Sequence, residues 1–116
     1  MDWFVIPFRG YEPQLEGFLI DINCPHIMYR FTFVPNDDKT PILKYGISDV
    51  YRFDMMQKPE SQLAAFRATY GSTVQYTVLM RTMNRAETLA IELELVGEHY
   101  KVWNAMPRAQ IRPTIQ

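Results

Sequence analysis

Four glutamates, Glu87, Glu92, Glu94 and Glu98, fall within one stretch of apolar periodicity, and they do not share a face. At roughly 100° per residue with Leu89 set to zero, Leu93 lies at roughly 40° and Val96 at roughly 340°. Glu87, Glu94 and Glu98 fall between roughly 140° and 180°, a solvated face. Glu92 falls at roughly 300°, between Val96 and Leu95, inside the apolar arc. Desolvation raises the pKa of a carboxylate there, and keeping it charged costs several kcal/mol. Glu92 therefore needs a partner. That is either an arginine from a strand, such as Arg81 or Arg30, in a structural ion pair, or a divalent cation. Structural pairs are the commoner outcome.

The other residues with chemical capacity read more plainly. His26 and His99 are expected as satisfied surface or hinge side chains, not ligands. Two histidines and the single cysteine, Cys24, leave little for a zinc site and exclude an internal disulfide framework. Cys24 precedes Pro25 without a basic neighbour and reads as a small packed hydrophobe. Met55 and Met56 read as core filler.

The elements that must position Glu92 follow from local chemistry. Residues 27–34 are β-branched and aromatic with partial alternation and predict a strand. Pro35-Asn-Asp-Asp-Lys-Thr-Pro41 is dense turn chemistry, and residues 42–47 read as the return strand. Pro59-Glu60 opens a helix that runs to about Tyr70 and is stopped by Gly71. Ser72 to Met80 is a third strand. Asn84, with Glu87 three residues on, forms a capping-box variant for a last helix. That helix is expected to end near Val96, with Gly97 as its left-handed cap and Tyr100 to Asn104 extended. Phe18 to Ile22 could form a short strand within an irregular arm. The order is β-β-α-β-α: an α+β domain over residues 27–116, with a small three-stranded, mainly antiparallel sheet flanked by helices, and an arm over 1–26 packed on it.

Composition agrees with one domain. The chain has 116 residues, 47% of them hydrophobic and 22% charged, with a formal charge of -1, which excludes wholesale disorder and a basic coat protein. No apolar run approaches a bilayer span, and no charged-then-apolar leader is expected. The charge is uneven: residues 1–56 carry -3 and residues 57–116 carry +2, so an anionic partner would lean on the second half.

Taken in order, a strand with a Tyr, a second strand ending in Tyr-Gly, an Arg, a Glu on a later helix and then an Asn resemble the GIY-YIG nucleases. The segment from Glu87 through Glu92 to Trp103-Asn104 is similar to the helix-to-Asn segment of the family's excision-repair endonucleases. Met28-Tyr29-Arg30-Phe31 resembles the first motif and Lys44-Tyr45-Gly46-Ile47-Ser48 the second. The second departs from the family, because Lys44 stands where tyrosine is usual and Tyr45 comes one place later. A one-residue step on a strand reverses the face. Either Lys44 occupies the catalytic face or a bulge re-aims Tyr45. Arg52 matches the family's arginine in order but comes early, so Arg67 is its rival.

The resemblance implies a metal-dependent phosphodiesterase. Glu92 would hold Mg²⁺ or Mn²⁺, Tyr29 with Lys44 or Tyr45 would help deprotonate the attacking water, Arg52 would grip the scissile phosphate, and Asn104 would steady the site. The expected substrate is DNA, with RNA as the other nucleic acid to test, cut with little sequence specificity since no recognition motif is present. A compact chain near zero charge looks like the family's toxin-type branch. That implies the C-terminal domain of a secreted bacterial effector acting in the target-cell cytoplasm, or a cytoplasmic enzyme, covered by an immunity protein. The competing expectation is a catalytically degraded interaction module, an inhibitor or adaptor, which Lys44 favours.

Overall fold

The computed structural model describes residues 24–49 and 57–111. Three strands, β1 (His26–Thr32), β2 (Ile42–Asp49) and β3 (Gln75–Thr82), form one sheet in the order β2-β1-β3, and two helices, α1 (Gln57–Tyr70) and α2 (Arg85–Trp103), pack against it. Both pairings are antiparallel. The expected α+β class and element order hold. The expected arm falls largely outside the described residues, as do Phe18 to Ile22, Arg52, Met55 and Met56. His26 belongs to β1, not to that arm.

Alternation along β1 divides the core in two. Ile27, Tyr29 and Phe31 join Phe33, Leu43 and Val74 beneath Leu63, Phe66 and Tyr70 of α1. Met28 joins Tyr45, Ile47 and Val96 beneath Leu89 and Leu95 of α2. A sheet with a helix on each face has no solvated side at its centre, and Met28, Tyr29 and Phe31 are fully buried. Each such side chain contributes about 1.5–3 kcal/mol relative to exposure.

The start of α2 is capped by Asn84, whose Oδ1 accepts the Glu87 amide at 2.8 Å, while Glu87 reaches back to the Met83 amide at 3.4 Å. The expected end of this helix is wrong. It does not stop at Val96 but continues through Gly97 to Trp103, and Asn104 takes the left-handed cap at φ 55°. Gly97 inside a helix costs about 1 kcal/mol against alanine. Buried anchors on both sides outweigh that cost: Val96 in the core, and His99, whose ring bonds the Ala105 carbonyl at 2.8 Å and the Thr40 hydroxyl at 3.0 Å. Tyr100 to Trp103 are therefore helical, not extended. β3 also begins later than expected, because residues after Gly71 (φ 109°) form a turn closed by the Val74 amide on the Gly71 carbonyl at 3.3 Å.

The chain beyond α2 runs back along β2. The Ala109 amide bonds the Leu43 carbonyl at 2.8 Å. Gln110 accepts from the Tyr45 amide at 2.8 Å and donates to the Tyr45 carbonyl at 3.1 Å, standing in for a neighbouring strand on the edge of the sheet.

Candidate active site

A cavity of about 610 Å³ opens where β2 meets the first turns of both helices. Tyr29 of β1, Lys44 and Gly46 of β2, Lys58 of α1, and Arg85 and Glu92 of α2 line it, with apolar walls from Ile47, Leu89, Leu93 and Ile111. Three of the residues singled out in the sequence, Tyr29, Lys44 and Glu92, are brought together here from three different elements.

Tyr29 reaches the cavity because of Gly46. The two residues stand opposite each other in the β1–β2 pairing. The Tyr29 ring lies across Gly46 so closely that a Cβ there would sit 2.6 Å from Tyr29 Cε1. Only a residue without a side chain leaves that space. The Tyr29 hydroxyl donates to Gln62 Oε1 of α1 at 3.2 Å. Burial, with the negative charge of Glu92 adding to it, pushes the phenol well above its ordinary pKa.

Of the pair left open on the second strand, Lys44 and not Tyr45 faces the Tyr29 side of the sheet. A bulge separates the pairs Phe31↔Lys44 and Thr32↔Ile42, with Leu43 the extra residue. Lys44 thus stands opposite Phe31 and shares the Tyr29 side of the sheet. The bulge does not re-aim Tyr45, which is buried on the opposite face with Met28, Ile47 and Val96 and does not line the cavity.

Glu92 is 9% exposed, as the angular position requires, whereas Glu87, Glu94 and Glu98 are exposed. Its company differs from the expected Arg81 or Arg30. Arg81 is exposed, and Glu92 shares the cavity with Lys44, Lys58 and Arg85. Lys58 and Arg85 were not singled out by sequence. Lys58 is exposed as a residue, yet its ammonium turns inward to donate to the Ile47 carbonyl at 3.0 Å. Burial, then the charges of Lys44 and Arg85, hold that ammonium below the ordinary lysine range. The signal that could have found both is their position in the first turns of two helices following strands.

The remaining expectations fare differently. Arg52 lies outside the described residues. Arg67 does not line the cavity; its Nε donates to the Val74 carbonyl at 2.9 Å, tying α1 to the start of β3. Asn104 is exposed at the far end of α2, twelve residues from Glu92 or about 18 Å along the axis. It serves as the helix cap, a position where asparagine tolerates the left-handed region, and not as a member of this cavity.

Neither histidine is at the surface, and only His99 is fully satisfied: His26 Nε2 is buried without a hydrogen-bond partner. His99 is buried with both ring nitrogens bonded. His26 Nδ1 lies 2.8 Å from the Cys24 carbonyl, and Nε2 faces Asp49 at 3.5 Å, while Asp49 is also 3.9 Å from Arg85. Burial is the largest influence on His26 and pushes its pKa down. Burial pushes the Cys24 thiol up, in keeping with a packed rather than reactive cysteine.

Glu92 is the carboxylate that lines the cavity, and no group of three His, Cys, Asp or Glu side chains among the described residues could enclose a metal ion. Among the described lining residues Glu92 alone offers a carboxylate, so a hard cation such as Mg²⁺ held there would draw the rest of its shell from water and phosphate oxygens. The described lining residues include no histidine or cysteine of the kind zinc takes. No helix among the described residues is long and apolar enough to cross a membrane. Comparison of the chain with protein-family models, with curated proteins and with solved structures returns no match.

Proposed function

We propose that this chain is a metal-dependent endonuclease of the GIY-YIG type, hydrolysing phosphodiester bonds of DNA, and that it is the toxin domain of a larger secreted bacterial protein restrained by an immunity protein. The observation that carries the reading is the convergence of Tyr29, Lys44 and Glu92 on one cavity. Helical periodicity singles out Glu92, the resemblance singles out Tyr29 and position 44, and β1, β2 and α2 each deliver one of the three.

In this reading water attacks phosphorus, the bond to the 3′-oxygen breaks, and the water's proton ends on solvent while the leaving oxygen takes up another. Glu92 would hold Mg²⁺ or Mn²⁺, which when bound supplies Lewis-acid charge and acidifies coordinated water. The Tyr29 phenol, protonated across the neutral range, orients the attacking water by hydrogen bonding. Lys44 offers fixed positive charge against the negative charge that builds on the phosphate oxygens.

A second reading, a degraded interaction module, is favoured by one observation: a lysine stands on the catalytic face where the family has tyrosine. Incubating the protein with supercoiled plasmid and with RNA, in Mg²⁺, in Mn²⁺ and in chelator, separates the two. Metal-dependent cutting of either polymer supports the nuclease, and the polymer cut names the substrate. Inertness towards both in either metal leaves the module.

A further inference from the structure

The two edges of the sheet are finished differently. Along β2 the edge is closed by Ala109 and by Gln110, which binds both backbone groups of Tyr45. β3 is the opposite edge, and its one neighbour in the sheet is β1. It contains no proline or lysine, and Gln75, Thr77, Val78, Met80 and Arg81 are exposed along it. Val78 and Met80, with Met83 just past the strand, are large apolar side chains left in water. A strand with one neighbour presents a row of unpaired N–H and C=O groups, a template for another strand.

Charge indicates which strand fits. Arg81 stands opposite Ile27 and Tyr76 opposite Phe31, so both lie on the face that α1 covers. Arg81 is exposed and forms no ion pair among the described residues. Towards the other end of β3 a carboxylate is held at the edge, where the Tyr76 hydroxyl donates to Glu60 Oε2 of α1 at 2.5 Å. A second β3 laid antiparallel, with Arg81 of each copy opposite Tyr76 of the other, brings each guanidinium to the opposing Glu60. The same register sets Thr77 opposite Met80 and Gln75 opposite Thr82. All four of these residues lie on the α2 face, so every one of these pairs keeps to one side of the sheet. The extra residue of β3, Leu79, falls beside the twofold axis, where the two bulges meet each other instead of interrupting a pair.

We propose that this chain forms a twofold dimer in which the two β3 strands pair antiparallel, making one continuous sheet with reciprocal Arg81–Glu60 contacts. Because Ala109 and Gln110 close the β2 edge, pairing stops at two copies and does not propagate into a fibre. No β3 residue is among those lining the cavity, so the proposal stands whether or not the chain cuts nucleic acid.

The test is sedimentation equilibrium of the full chain from about 1 μM to about 1 mM, a range that spans weak and moderate self-association. The mass should rise from 13.7 kDa to twice that value. Arg81→Glu and Glu60→Arg each set like charges across the junction twice, and each should weaken dimerisation about tenfold or more. The double variant should return to within about threefold of wild type, because the pairs are re-formed with their signs exchanged. Val78→Lys brings two ammonium groups together beside the axis and should leave a monomer. Val102→Lys, at an exposed apolar position of α2, should leave association unchanged. Thermal unfolding confirms that each variant compared is folded. In a mixture of labelled and unlabelled wild type, intermolecular nuclear Overhauser effects should connect Tyr76 with Arg81. A folded wild type that stays monomeric throughout the range would overturn the proposal. So would a dimer that keeps its affinity in folded Arg81→Glu and Val78→Lys, since its interface would then lie elsewhere.

Discussion

Alanine at Gly46 and alanine at Gly97 should move stability in opposite directions. At Gly46 the new Cβ would meet Tyr29 at 2.6 Å from Cε1, 2.7 Å from Cζ and 2.8 Å from the hydroxyl oxygen. Non-bonded carbons sit best near 3.5–4.0 Å apart, so the ring would have to retreat by roughly 1 Å. It has little room to do so. Tyr29 is fully buried, edge-on to Phe31 at 5.6 Å and to Tyr76 at 6.5 Å. Retreat would also strain the 3.2 Å bond to Gln62. Overpacking of this kind costs about 1–3 kcal/mol, and a lost hydrogen bond about 1 more. Gly46→Ala should therefore lose about 2–4 kcal/mol in urea unfolding with the slope unchanged, a large share of a small domain's stability. At Gly97 an added Cβ meets nothing within 4 Å inside a continuous helix, so Gly97→Ala should gain about 0.5–1 kcal/mol. Tyr29→Leu should cost much less in the Gly46→Ala background than in wild type, because the clash and the ring disappear together. Gly46→Ala within about 0.5 kcal/mol of wild type would refute the close approach on which the placement of Tyr29 depends.

Three further outcomes are expected. His26 has its pKa lowered by burial, so the unfolded chain binds a proton more readily: between the unfolded value near 6.5 and the lower folded value, stability should fall as pH falls. Unfolding measured from pH 8 down to pH 5 should show this slope in wild type and a flatter one in His26→Asn, and equal slopes would contradict it. Gln110→Ala removes both bonds to the Tyr45 backbone and should cost about 2 kcal/mol while speeding exchange of the Tyr45 amide; slow exchange in the variant would count against the strand-like role of that side chain. Tyr29→Phe should lower cleavage about a hundredfold while stability changes by no more than about 1 kcal/mol, and full activity would remove Tyr29 from the chemistry.

The strands and the first helix were legible because short-range chemistry decides them. Alternating aromatics in β1, prolines flanking the turn and glycine after Tyr70 each act within a few residues. Glu92 was legible for a similar reason: helical periodicity alone places it among apolar neighbours, and it is buried. The end of α2 was not legible, since Gly97 carries the local signal of a cap while the anchors that override it, Thr40 to His99 above all, are 59 residues apart. The same blindness hid Lys58. In sequence it is one lysine ahead of a helix-opening proline, and only the packing of α1 against β2 turns its ammonium to the Ile47 carbonyl. Asn104 shows the converse error: its order along the chain fitted a motif, but an unbroken helix carries it away from the cavity.

The most direct measurement is nicking of supercoiled plasmid by wild type and by Glu92→Gln, a near-isosteric change that removes the charge, at matched fold content and in Mg²⁺, Mn²⁺ and chelator. The account predicts cutting by wild type in either metal, none in chelator, and cutting by Glu92→Gln reduced to the chelator background. Equal metal-dependent cutting by Glu92→Gln would contradict it, because the one carboxylate among the described residues lining the cavity would then have no part in the reaction.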